Sequence, residues 1–400
     1  MSKIISVNAG SSSLKFQLYE MSNGSEDVVT SGVVERIGLS DAIFTIKVNG
    51  EKQTEVLPIL DHAVAVKMLL DKLVTLQIVT SLDEIDGVGH RVVHGGEYFN
   101  ASVIVDADVE EKVVELSDLA PLHNPANLVG YRAFKEALSK AKHVFVFDTA
   151  FHQTMSEDVY MYPIPYSYYT DLKIRRYGFH GTSHDYVSKR TAELIGKDVK
   201  EANTIICHLG NGASISAIQG GKSVNTSMGF TPLAGVMMGT RSGDVDPSIM
   251  PFIMEKEGLS SQEVLDILNK KSGMLGISDI SNDARDIENA CKEGNPRAIL
   301  TSEIYANRIA ATIGSYFIQL GHVDAIAFTA GIGENDTGVR EAVCTKIAEA
   351  MGVVLNQEIN RKSRGVETLL STSDSKIQVW LVPTNEELVI ARDTKKLLSL

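Results

Sequence analysis

The sequence predicts a mixed α/β fold built twice over, on three observations. A β-branched run at Ile4-Ile5 enters a Gly/Ser turn, and an alternating run leaves it with Leu14, Phe16 and Leu18 on one face and Lys15, Gln17 and Tyr19 on the other. That pattern is strand, turn, strand. A like hairpin recurs at 205–218, where Ile4 aligns with Ile205 and Ser13 with Ser214 without gaps, the mark of an internal duplication. Beyond each hairpin, strand and helix signals interleave, which excludes an all-α or all-β chain.

The first half continues with strands over 32–37 and 44–48, a helix over 61–76, a strand over 87–93, a helix over 125–138 and a strand over 143–147. Residues 151–173 read as an irregular crossing with Pro163, Pro165 and five tyrosines at 160, 162, 166, 168 and 169, which places a boundary near 150. The second half adds a hairpin from 203, helices over 261–271 and 296–320, and a strand over 325–329 followed by a helix. A strand over 377–382 and a last helix complete it.

With 400 residues, 44% hydrophobic and 22% charged, the chain is globular. A net charge of -13 argues against nucleic acid or an anionic membrane as partner. An anionic substrate then needs a local cationic pocket. Cys207, Cys291 and Cys344 are too few and too far apart for a disulfide framework or a CxxC metal site. No run of about 18 apolar residues is present, and Asn8 and Gly10 come too early for a signal peptide. A reducing cytoplasm is the expected compartment.

Several residues carry chemistry. In the first turn Asn8, Gly10, Ser11, Ser12 and Ser13 crowd near Lys15. Free backbone N–H groups, hydroxyls and an ammonium suit a phosphate, although a plain polar hairpin has the same composition. Asp148 ends a strand, where it either orients a reactant or touches a metal, or else closes a turn. Arg91 sits inside an apolar strand and must find an anion, structural or substrate. His180, in Phe179-His180-Gly181-Thr182-Ser183-His184, precedes a helix that Thr182 or Ser183 is expected to cap, and His123 is similarly ambiguous. Arg241 lies between Gly239 and Gly243, in a loop expected to swing an arginine toward a phosphoryl group or else to leave it solvated. Gly331-Ile332-Gly333-Glu334-Asn335 suits close approach to a nucleotide but lacks the third glycine of a dinucleotide fingerprint. Gln219-Gly220-Gly221-Lys222-Ser223 reads as a polar turn rather than a P-loop. At the end, Thr384 and Glu387 read as a capping box, which leaves Glu386 to hold Mg²⁺.

Taken together and in order, these segments resemble the acetokinase family. The motifs are Asn8-Ala9-Gly10-Ser11-Ser12-Ser13-Leu14-Lys15, His90-Arg91-Val92-Val93-His94-Gly95-Gly96, Asp148-Thr149-Ala150-Phe151-His152 and Gly178-Phe179-His180-Gly181-Thr182-Ser183-His184. They continue with His208-Leu209-Gly210-Asn211-Gly212, Thr329-Ala330-Gly331-Ile332-Gly333-Glu334-Asn335 and Pro383-Thr384-Asn385-Glu386-Glu387. The likeness spans nearly the whole chain. It implies α/β architecture with two actin-like, duplicated ribonuclease-H-like domains, 1–150 plus 384–400 and 151–383, around a cleft. It also implies a homodimer, ATP/ADP as co-substrate, and Mg²⁺ with Mn²⁺ as substitute. By resemblance Asn8 and Glu386 serve the metal. Lys15, His208, Leu209, Gly210, Asn211, Gly212, Asp283, Ala284, Arg285, Gly331, Ile332, Gly333, Glu334 and Asn335 serve ATP. Asp148, His180 and Arg241 are the implied catalytic residues, and Arg91, Val93, Leu122, His123, Phe179 and Pro232 the implied acyl-substrate site.

The expected activity is reversible phosphoryl transfer from ATP to acetate, giving acetyl phosphate and ADP. A propionate-specific relative is the near alternative. An actin- or Hsp70-like ATPase is the alternative from another class, and it has no need of Arg91 or an acyl pocket.

Overall fold

The computed structural model describes residues 1–400 and divides into two compact units, Met1–Phe151 with Asn385–Leu400, and His152–Thr384. The first holds an eight-stranded sheet. Its strands are β1 (Ser2–Ala9), β2 (Ser13–Ser22), β3 (Ser25–Glu35), β4 (Ala42–Val48), β5 (Glu51–Leu57), β6 (Ile85–Val92), β7 (Val103–Ile104) and β8 (Lys142–Phe147). They run in the order β5-β4-β3-β2-β1-β6-β8-β7, with β1, β6 and β8 parallel and the meander from β1 to β5 antiparallel.

Helices His62–Thr75 and Asn124–Ala137 contribute to the main core of this unit, where Leu69, Leu73 and Phe134 meet Phe16, Leu18 and Val88. Asp61 caps the first helix by accepting from the Val64 N–H, an interaction typically worth about 1 kcal/mol. Ile390 and Leu398 of the last helix, Glu386–Leu398, pack on Val144 and Val146 of β8. That helix comes close to β6 because Gly87 and Gly89 stand there: a Cβ on Gly89 would overlap Thr394 Oγ1 and lie 2.5 Å from Ile390 Cγ2.

The second unit has a six-stranded sheet in the order β11-β10-β9-β12-β14-β13. Its strands are β9 (Asn203–Leu209), β10 (Ala213–Gln219), β11 (Lys222–Thr226), β12 (Ala325–Thr329), β13 (Thr368–Leu369) and β14 (Gln378–Leu381). The central β9, β10 and β12 are almost wholly buried. The long helix Pro296–Leu320 is bounded as its sequence dictates. Asn295 accepts from the N–H groups of Arg297 and Ala298, Pro296 takes the first position, and Gly321 ends the helix at φ 68°.

Three expectations need correction. The duplicated hairpins do not share one register. Four residues separate the paired Ala9 and Leu14, and three separate Leu209 and Ala213, so the ungapped alignment fails at the turn. Strand β5 is missing from the sequence reading because Glu51–Val56 are all exposed and show no buried face. The 151–173 crossing is more ordered than expected, with short helices at Glu157–Tyr160 and Ser167–Leu172.

Gly89→Ala should force the last helix off β6. Overpacking of about 1–3 kcal/mol lowers Tm by roughly 2–12 °C. Gly314→Ala is the contrasting variant. It sits within the long helix with nothing within 4 Å of its Cβ and should raise Tm slightly. Thermal melts of both check the packing, and an unchanged Tm for Gly89→Ala would refute it.

Candidate active site

In the first unit, the turn between β1 and β2 closes with the Gly10 N–H donating to the Ser13 carbonyl at 2.8 Å. Asn8 and Lys15 face each other across the pair. Arg91, near the end of β6, donates Nε to Asp148 Oδ1 at 2.8 Å and Nη2 to Asp148 Oδ2, a two-pronged contact. Its Nη1 donates to Asn8 Oδ1 at 3.4 Å. Burial works against the Arg91 charge, but Asp148, with help from Glu386 and Glu387, raises the pKa above the usual arginine value. Asp148 is 1% exposed, so breaking this pair would strand a buried charge. Val93 is buried just past β6, its N–H held by Asn127 Oδ1 at 3.1 Å, whereas Leu122 is 70% exposed.

The end of the chain differs from the expected capping box. The helix starts at Glu386 and its cap is Asn385, whose Oδ1 accepts from the Leu388 N–H at 3.1 Å. Thr384 instead contacts Ser183 through its hydroxyl at 2.8 Å. Glu387 is no cap residue: its carboxylate pairs with Lys15. Lys15 is therefore already neutralised by a neighbour. Burial pushes the Glu386 carboxyl above its usual range, with Asp148 and Glu387 adding to the shift and Arg91 and Lys15 opposing it.

In the second unit the candidate residues converge from five segments. His180 itself is the N-cap of helix Gly181–Leu194, in the left-handed region at φ 59°. Thr182 and Ser183 lie inside the first turn, not at the cap. A non-glycine residue held in that region marks local constraint. His180 Nδ1 lies 2.8 Å from Ser214 Oγ, and its ring stacks on His208 at 4.1 Å. His208 Nδ1 lies 2.7 Å from Ser183 Oγ.

Arg241 is half-buried, and its contacts are neutral: Nη1 donates to the Pro232 carbonyl at 3.1 Å and lies 3.5 Å from Met238 Sδ. Burial lowers its pKa, and no carboxylate pairs with it. A cation in that state is open to an anion. The loop around it is tied down by backbone hydrogen bonds. Met238 N donates to the Arg241 carbonyl at 3.0 Å, Ser272 N to Thr240 at 2.9 Å, Met274 N to Met238 at 2.9 Å and Leu275 N to Gly239 at 3.0 Å. Gly273, at φ 63°, lies so close that a Cβ would press on the Met238 and Arg241 backbone.

Beside this loop is a cavity of about 750 Å³, lined by Gly210, Asn211, Asp283, Ala284, Arg285, Gly331, Ile332 and Asn335 among others. Its size suits a nucleotide. Gly331 faces open space, following Ala330 at φ 64°. His208, Leu209, Gly212, Gly333 and Glu334 do not line the cavity. Gly212 lies against Arg241 and His180 instead. Glu334 braces the loop, its Oε1 accepting from Ala330 N at 2.9 Å and Thr384 N at 3.2 Å. Sequence reasoning missed Asn282, Glu288, Asp336 and Arg364, which also line the cavity. Only the Asn282–Asp283 adjacency offered a signal. Phe179 is buried, and its carbonyl lies 3.0 Å from His152 Nε2. His123 precedes helix Asn124–Ala137 without a side-chain cap bond.

Residues 3–392 match the acetokinase family. The chain is 60% identical over 400 residues to an acetate kinase from Geobacillus kaustophilus, with 100% of both covered. Among solved structures it is similar to an acetate kinase from Porphyromonas gingivalis (TM-score 0.95, 47% identity, 100% of both chains). It is also similar to a propionate kinase from Francisella tularensis (TM-score 0.93, 40% identity, 99% of this chain and 100% of that one). Two mixed sheets and these matches bear out the expected α/β, actin-like class. The chain belongs to the acetokinase family.

A carboxyl whose pKa is raised in the folded state loses stability as pH climbs from its unfolded value through its folded one. Glu386 is in that position. In metal-free buffer Glu386→Gln should therefore melt higher than the parent near pH 7, and the gap should close toward pH 4. Melts across that range check it, and a lower Tm for the variant at pH 7 would contradict it.

Proposed function

We propose that this chain catalyses reversible transfer of the γ-phosphoryl group of ATP to acetate, yielding acetyl phosphate and ADP. It is a phosphotransferase with a carboxyl group as acceptor. The observation that carries the reading is the unpaired, half-buried Arg241, pinned next to a nucleotide-sized cavity.

The chemistry follows from charge. Acetate is already an anion, so little proton removal is required. Catalysis must bring two anions into line and support charge on the phosphoryl group in transit. Arg241 and His180 supply that support. Arg91 receives the carboxylate, and Asp148 orients Arg91 rather than serving as a base, which its two-pronged contact supports. Val93 bounds the methyl group; Leu122 and His123 of the first unit, and Phe179 and Pro232 of the second, are assigned to the acyl substrate by the family resemblance. Gly210, Asn211, Asp283, Ala284, Arg285, Gly331, Ile332 and Asn335, which line the cavity, hold the nucleotide; His208, Leu209, Gly212, Gly333 and Glu334 support them from outside its lining, and Lys15 is assigned to phosphate.

Asn8 and Glu386 offer hard oxygen donors that fit Mg²⁺, and a carboxyl raised by burial beside other carboxylates is what a dication relieves. Held by Asn8 and Glu386, Mg²⁺ would supply positive charge to offset that of the phosphates. A homodimer in the cytoplasm is part of the same reading. No helix is long and apolar enough to cross a membrane.

Arg241→Ala should lower kcat by roughly 10³-fold or more while the KM for ATP changes little. Near-normal kcat would remove Arg241 from the chemistry. Hydroxylamine trapping of acyl phosphate across formate, acetate, propionate and butyrate should give the highest kcat/KM for acetate. Propionate should be slower within about 10- to 200-fold, because one methylene discriminates only that far. Equal or faster use of propionate would favour a propionate kinase.

A further inference from the structure

The arrangement around Ser214 fixes more than the position of His180. Ser214 is fully buried, and its Oγ lies 2.8 Å from His180 Nδ1 and 2.7 Å from His184 Nε2. His180 and His184 sit one turn apart, and Ser214 projects from β10 opposite His208. His184 is fully buried. Burial, with His152 and His208 nearby, drives its pKa far below the ordinary histidine value, so it stays neutral. Its Nδ1 has no partner.

A hydroxyl has one proton to give, and if both rings accept, one of them goes unmet and the His184 proton is forced onto its partnerless Nδ1. If His180 Nδ1–H donates to Ser214 and Ser214 donates to His184 Nε2, the proton of His184 must sit on its partnerless Nδ1. That strands a buried N–H, which native structures avoid. If both histidines donate to Ser214, the hydroxyl proton is stranded, since Ser214 has no other acceptor. One assignment leaves only a lone pair unmet: His184 Nε2–H donates to Ser214 Oγ, and Ser214 O–H donates to His180 Nδ1.

We propose that His184 and Ser214 form a positioning relay that holds His180 in its Nε2–H tautomer. The consequence lies on the other edge of the ring. A Cβ built on Gly212 would be 3.5 Å from His180 Cε1 and Nε2 and 3.4 Å from Arg241 Nη1. The Nε2–H and the Arg241 guanidinium thus present donors to one face beside Gly212. The reversed relay would turn the unprotonated ring nitrogen toward the same face, where its lone pair would repel an anion. His184 and Ser214 act only through His180 and touch no reactant. This inference rests on the phosphoryl-transfer role given to His180 above.

The test uses the full-length chain labelled with ¹⁵N-histidine, without nucleotide. Long-range ¹H–¹⁵N spectra report which ring nitrogen carries the proton. The expected result is Nε2–H on both His180 and His184. Ser214→Ala should give His180 a mixture of tautomers and lower kcat by about 10-fold or more, with the KM for ATP within about twofold of the parent. Ser214→Thr, which keeps the hydroxyl, should restore both. His184→Gln, which keeps an N–H near the Nε2 position, should retain more activity than His184→Leu. A proton on Nδ1 of His180 in the parent chain, or an unchanged kcat in Ser214→Ala, would overturn the relay. Failure of the parent chain to form acetyl phosphate would overturn the activity instead, and the spectra would still decide the relay.

Discussion

Arg241 keeps its positive charge without a carboxylate partner, and the surrounding part of the second unit is arranged to preserve that state. In a chain of net charge -13, carboxylates are abundant and a half-buried arginine would ordinarily acquire one. Here the guanidinium meets a carbonyl and a thioether, both neutral. The backbone carrying it is tied to the segment around Ser272–Leu275. Gly273 makes that approach feasible because it accepts a positive φ and has no side chain to collide with the loop. A cation held rigid and uncompensated costs folding free energy, and its natural use is to meet charge that arrives with a ligand.

The first unit follows the opposite rule. Arg91 is fully matched by Asp148, and Lys15 is matched by Glu387. Its Glu386 is a carboxyl that burial pushes toward the neutral form. One unit thus carries a cation with no carboxylate beside it, and the other a carboxyl whose charge burial disfavours. Those are the two kinds of group that phosphoryl transfer assisted by a divalent cation requires.

Much of this was legible in the sequence where the signal is local. Asn295, Pro296 and Gly321 bracket the long helix, and the apolar run Ala325–Thr329 between turn residues gives β12. What escaped depends on distant partners. Thr384 reads as the cap, but its hydroxyl is engaged by Ser183, some 200 residues away in the chain, and Asn385 caps the helix instead. The Gly-flanked Arg241 loop reads as mobile until Gly273 and its neighbours are seen to pin it. Strand β5 has no buried face, so no alternation marks it. Of the candidate site, the Gly331–Asn335 segment and Asp283–Arg285 were legible through family resemblance, and the cavity brings most of them together. Arg364, on the same cavity, follows a helix end with no distinguishing pattern.

The central claim is that Arg241 works because nothing neutralises it. Met238 Sδ lies 3.5 Å from Arg241 Nη1, so a glutamate there would supply the missing carboxylate at similar size. Comparing kcat of Met238→Glu with that of Met238→Gln tests the claim most directly, because the two side chains differ in charge far more than in shape. With Arg241 intact in both, the account predicts a fall of roughly 10³-fold for Met238→Glu and a loss of less than about 10-fold for Met238→Gln. Equal turnover in two folded variants would contradict it.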